Sequence, residues 1–117
     1  MEFDRYTVVF LLTPPNPPQL DEGATAALQD AHLNHLAELH DAGHLLAAGP
    51  LVGEPGRRFR GISIFRGELD QVRELAERDP AVRAGWFELE LLPWLVPGGA
   101  ISFSTTRFPR SVAEADA

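Results

Sequence analysis

The chain contains no cysteine and no lysine, and only one methionine and one tyrosine. Without cysteine there is no disulfide framework, no thiolate nucleophile and no cysteine-ligated metal. Without lysine every basic side chain is one of ten arginines, set against seventeen acidic residues for a net charge of −7. Phosphate-binding charge is therefore scarce, and no nucleic-acid partner is expected. No apolar run reaches membrane-spanning length and no leader pattern opens the sequence, so no membrane partner is expected and the chain reads as cytoplasmic. Internal repeats, low-complexity tracts and linkers are also missing. A length of 117 residues allows one domain with one core, small enough that pairing with a second copy would add stability.

What is present alternates strand and helix patterns. "DRYTVVFLL" from Asp4 is β-branched and aromatic, as a buried first strand would be, and "TPPNPP" ends it because proline removes ladder donors. Asp21 is placed to cap a long helix from Glu22 to Ala42, closed by Gly43. "HLLAAGPLV" is a second strand, "EPGRR" a turn, and "FRGISIF" a third strand with Phe59, Gly61, Ser63 and Phe65 on one side. Leu69 to Arg78 has helical spacing, and "DP" at Asp79 stops it. "GWFELELLPWLV" is the last strand, "AISFS" a short edge-strand candidate, and "SVAEADA" a disordered tail. The domain is expected over residues 1–97, with 98–117 as a C-terminal extension. This order, βαββαβ, is that of an α+β ferredoxin-like sandwich with an antiparallel sheet and two helices on one face. Its other face would be bare and apolar, and a second subunit's sheet is the simplest cover, giving a homodimer.

The segment "LQDAHLNHLAELH" carries the sharpest chemical question. At about 100° per residue, Leu28, Leu36 and Leu39 share a stripe with His32 and His35, while Asp30, Asn34, Ala37 and Asp41 take the opposite, solvated side. An imidazole among leucines leaves two ring nitrogens that need partners, which another leucine would not. Asp79, on a turn before a proline, can point its carboxylate back at this helix. A carboxylate on one imidazole nitrogen fixes the tautomer and frees the other nitrogen as acid or base. Four histidines, at 32, 35, 40 and 44, raise the question of a metal, but their spacing lacks a metalloprotease pattern and no metal is expected.

"AHLNHL", "AGHLLAAGPL", "RDPAVRAG" and "LLPW", in this order and spacing, resemble the YCII-related family over nearly the whole chain to about Leu95. That resemblance implies a ferredoxin-like domain pairing into a dimeric α/β barrel, related to muconolactone isomerase-like proteins. It also implies a functional pair, His32 matching the family's helix histidine and Asp79 the aspartate of its "DP". A dehydrochlorinase acting on a chlorinated hydroxyquinol-type ring is among the similar proteins. The chain departs from the commonest pattern in its histidines at 35, 40 and 44 and in its longer "TPPNPP" segment.

The expected function is cofactor-independent proton transfer, elimination or dehydration on a small cyclic or enolic metabolite, by a lyase or isomerase. His32 and Asp79 are the catalytic candidates, with His35, Phe10, Leu12, Gly49 and Pro50 as candidate pocket lining. The alternative is a non-catalytic small-molecule binding or accessory module using the same pocket. Residue by residue, simpler roles stand beside these. The His32–Asp79 contact could be a buried structural hydrogen bond and Asp79 a helix terminator. His35 could be an interior histidine bonded to backbone, Trp86 and Trp94 packing residues, and Arg57, Arg58 and Arg60 a solvated cluster.

Overall fold

A computed structural model describes residues 1–117. Its elements are β1 (Phe3–Leu12), α1 (Glu22–Asp41), β2 (Leu45–Pro50), β3 (Phe59–Arg66), α2 (Leu69–Ala76), α3 (Pro80–Arg83), β4 (Glu88–Pro97) and α4 (Val112–Ala115). The strands form one antiparallel sheet in the order β2-β3-β1-β4, the ferredoxin-like arrangement. The two longest strands are central or neighbouring, β1 pairing with β4 from Phe3↔Pro97 to Leu12↔Glu88. No helix is long and apolar enough to cross a membrane.

Alternation along each strand decides which residues meet the helices. Val9 of β1, Leu45 of β2, Phe65 of β3 and Leu91 of β4 join Leu39 of α1 and Val72 of α2 in the main core. A second cluster of Leu11, Ala81 and Phe87 joins the sheet to α3. The helix expected over 69–78 forms as α2 and stops before Asp79, and a second short helix, α3, follows it. The first ends at Ala76, and Asp79 becomes the N-cap of α3, accepting from Ala81 N–H at 2.9 Å, with Pro80 at the first helical position where its missing N–H costs nothing. The break turns the chain so that Asp79 faces α1.

The register between β1 and β3 slips at one point. Leu11 pairs with Gly61 and Leu12 with Phe59, leaving Arg60 as the extra residue of a bulge. The expected alternation therefore fails there: Phe59 packs edge-on against Phe10 at 5.5 Å instead of sharing a face with Gly61. Bulges re-aim side chains, and this one turns Arg60 toward Trp86 and Phe87. Gly61 is needed beside it, since a Cβ would approach Leu11 Cδ1 to 3.1 Å and the Gly49 carbonyl to 3.3 Å.

The C-terminal extension differs most from expectation. "AISFS" forms no strand, and "SVAEADA" is not disordered but contains α4. Phe103 meets Tyr6 edge-on at 5.5 Å, and further along Phe108 stacks on His40 at 3.9 Å and 9°. His40 Nδ1 lies 2.7 Å from the Leu45 carbonyl and Nε2 lies 2.9 Å from the Thr106 carbonyl. Arg110 binds Asn34 and Asp41, and Asp30 accepts from Val112 N–H at 2.8 Å. The polar side of α1 thus holds this strap, and Ala37, expected in solvent, is 1% exposed.

Candidate functional site

Between the sheet and α1 lies a cavity of about 400 Å³. β1 and β3 supply its floor through Leu11, Gly61 and Ser63, and β2 one side through Ala48, Gly49 and Pro50. His32, Leu33 and Leu36 of α1 form the roof, Trp86 and Phe87 the aromatic end, and the strap closes the remainder with Phe108, Pro109, Val112 and Ala115. The lining is mainly apolar with a few polar groups, the usual character of a small-molecule site. A larger, open groove between Met1–Asp4 and Pro97–Gly99 lies at the other end of β1 and holds none of the histidines.

The chemistry centres on His32. Its Nδ1 lies 2.5 Å from Asp79 Oδ2, and the two side chains are 12% and 4% exposed. With Asp79 ionised, Nδ1 carries a proton and donates it, which leaves the Nε2 lone pair free. Asp79 is fixed at both oxygens, Oδ2 by His32 and Oδ1 by the Ala81 N–H. The imidazole is further held edge-on against Phe87 at 5.4 Å. Both partners are thus positioned by separate elements, α1 for the histidine and the α2–α3 break for the aspartate. A base oriented this way, on the wall of an apolar cavity, can take a proton from a bound molecule and carry the resulting charge against the carboxylate.

His35 goes elsewhere. It lies three residues on from His32 and turns toward Leu75 of α2, outside the cavity lining. Its Nε2 is buried without a partner. Burial pushes its pKa below the ordinary histidine value, opposed by the nearby Asp79 carboxylate. No three of the chain's His, Asp and Glu side chains converge as a metal-holding group.

The YCII-related domain matches residues 8–95. The chain belongs to the YCII-related family. Among solved structures it is similar to a 5-chloro-2-hydroxyhydroquinone dehydrochlorinase from Burkholderia phenoliruptrix, in complex with 2,5-dihydroxybenzoquinone. The similarity has 22% identity and a TM-score of 0.56, over 76% of this chain and 92% of that one. No curated protein sequence matches. The matched residues include His32 and Asp79 and end before the strap, so Phe108 and Val112 line the cavity from outside the matched region.

Of the residues singled out from the sequence of this YCII-related chain, His32, Gly49 and Pro50 line the cavity, and Asp79 stands behind His32. His35, Phe10 and Leu12 do not line it. Strand alternation explains the last two: Leu11 lies on the helix side, so its neighbours turn away, Phe10 onto Phe59. Arg57, Arg60 and Trp86, read as surface or packing residues, line the cavity. A signal for Arg60 was present, an arginine inside the alternating "FRGISIF", but the bulge that re-aims it has no local marker.

Proposed function

We propose that this chain is a lyase- or isomerase-type enzyme that moves a proton on a small cyclic or enolic metabolite, with His32 as the catalytic acid-base and Asp79 as its positioning residue. The observation that carries this reading is an oriented imidazole on the wall of a cavity of about 400 Å³, its Nδ1 held 2.5 Å from a carboxylate that is itself fixed. His32 Nε2 takes a proton from a ring carbon or hydroxyl. The released electron pair moves into the ring and either expels a leaving group from the neighbouring carbon, an elimination, or shifts a double bond. In the second case the imidazolium returns its proton to another carbon. Asp79 stabilises the imidazolium between the two events. The similar fold that holds 2,5-dihydroxybenzoquinone supports a ring of that size as substrate class. The apolar cavity excludes water from competing for the carbanionic or enolic intermediate.

The same reading includes a homodimer. Leu92 and Trp94 of β4, on the sheet face away from the helices, remain 46% and 39% exposed, and a second sheet packed on them would form the dimeric barrel.

The test is turnover of a panel of halogenated or hydroxylated ring substrates by the wild-type protein and by His32→Asn. Activity that follows a single ionisation in the histidine range and falls at least about a hundredfold in the variant supports the reading. Ligand binding with no turnover, unchanged in the variant, overturns it in favour of a binding module.

A further inference from the structure

Arg60 lines the cavity beside His32, and proton transfer at His32 does not use it. The arginines near it are committed. Arg57 donates through Nε to the Leu51 carbonyl at 2.8 Å and through its Nη1 to the Glu54 carbonyl at 3.2 Å. Arg58 pairs with Glu88 at 3.4 Å. Arg60 has no carboxylate and no carbonyl acceptor, and its Nε is buried without a partner. Its guanidinium carbon lies 5.6 Å from the Phe87 ring and 5.9 Å from the Trp86 ring. Those rings pack against the guanidinium as cation–π partners but supply no hydrogen-bond acceptor for its N–H donors. In a chain with seventeen acidic residues, a cavity arginine without a counterion is a specific omission.

Burial lowers the Arg60 pKa, and the Arg57 charge adds to that. A bound anion would relieve both. His32 packs on the same Phe87 ring from its own side at 5.4 Å, so guanidinium and imidazole border one space.

We propose that Arg60 is the anion-recognition residue of this cavity, and that its ligand is a small planar ring compound bearing an oxyanion, either a carboxylate or an ionised ring hydroxyl. The flat fork of the guanidinium takes such a group side-on through two N–H donors, with the ring lying along Trp86 and Phe87. The apolar lining accounts for the ring, and the unmet donors account for the charge. The inference rests on the cavity being the site assigned above, and it adds the substrate's charge and the residue that reads it.

Titration calorimetry with benzoate, 4-nitrophenolate and neutral benzamide tests it, on the wild-type chain and on Arg60→Gln, Arg60→Lys and His32→Asn. At least one of the two anions should bind at least about tenfold more tightly than benzamide. The anion preferred tells a carboxylate from a ring oxyanion. Arg60→Gln should abolish that preference, and Arg60→Lys should keep only part of it while retaining the positive charge. Anions that bind no better than benzamide, or a preference that survives Arg60→Gln in a folded variant, overturn the proposal. His32→Asn separates the two readings. If it keeps activity while Arg60→Gln loses anion preference, the catalytic assignment fails and anion recognition stands. The opposite pattern removes Arg60 and leaves His32.

Discussion

His32 and Asp79, 47 residues apart in the chain, meet at 2.5 Å because α2 breaks at Ala76 and restarts at Pro80. The aspartate is 3% exposed and has two donors, the His32 imidazole and the Ala81 N–H. The helix-cap role and the histidine-partner role belong to different oxygens of one carboxylate.

Asp79→Asn separates size from charge at that point. The amide keeps the volume and can still accept from Ala81 N–H, but it no longer holds the proton on Nδ1. Turnover should fall by about 10²- to 10⁴-fold, chiefly in kcat, and the acid limb of the pH–rate profile should move. A role confined to helix capping predicts an unchanged profile and rate with only a lower melting temperature.

The cost of removing His32 depends on what replaces its Nδ1–H. His32→Leu completes the leucine stripe but strands a buried carboxylate, which costs about 1–3 kcal/mol and several degrees of melting temperature in a domain of this size. His32→Asn places an amide donor near the former Nδ1 and should melt close to the wild type, yet without Nε2 it should be inactive. Thermal melts of both variants beside their rates check this.

His35 sets a pH dependence of stability whose sign is fixed by its surroundings. Its pKa in the folded chain lies below 6.5, pushed there by burial. Between the folded value and 6.5 the unfolded chain binds more protons, so stability is full above 6.5 and declines as pH falls through that window. His35→Leu removes both this titration and a buried unpartnered nitrogen. Urea midpoints at about pH 5 and pH 8 should show a smaller acid loss in the variant than in the wild type. An equal loss in both would show that other groups account for it.

The strap should control access to the cavity. Beside the Phe108–His40 stack, its anchors include exposed contacts of Arg110 to Asp41 and Asn34, each worth about 0–1 kcal/mol. Arg110→Ala should therefore leave the melting temperature nearly unchanged while weakening ligand binding and speeding proteolysis within residues 104–117. Truncation before Ser111 removes the Val112 and Ala115 walls and should weaken binding further. Calorimetry with both variants measures the effect.

Dimerisation should depend on the outer sheet face. Leu92→Asp with Trp94→Asp puts charge where a second sheet would pack, and sedimentation should shift from dimer to monomer without loss of helix content by circular dichroism. A wild-type chain that is monomeric at micromolar concentration would remove the barrel from the proposal.

The sequence alone determined the order of elements and the side of most residues, because periods of two and 3.6 are properties of the backbone itself. Asp21 capping α1 through Ala24 N–H at 2.7 Å and Gly43 at φ 86 after its end are both of that local kind. The motif resemblance placed His32 and Asp79 together and pointed to Gly49 and Pro50 as pocket candidates. Tertiary structure decided what depends on a single register slip or on residues far apart. The bulge opposite Leu11 and Leu12 turned Arg60 into the cavity and set Phe59 on Phe10. A short helix at 112–115 had too little periodicity to stand out, and it is held against α1 through Asp30, Asn34 and Asp41, residues that a helical wheel assigns to water. Which face of a helix is solvated depends on what else the chain brings to it, and that information is not local.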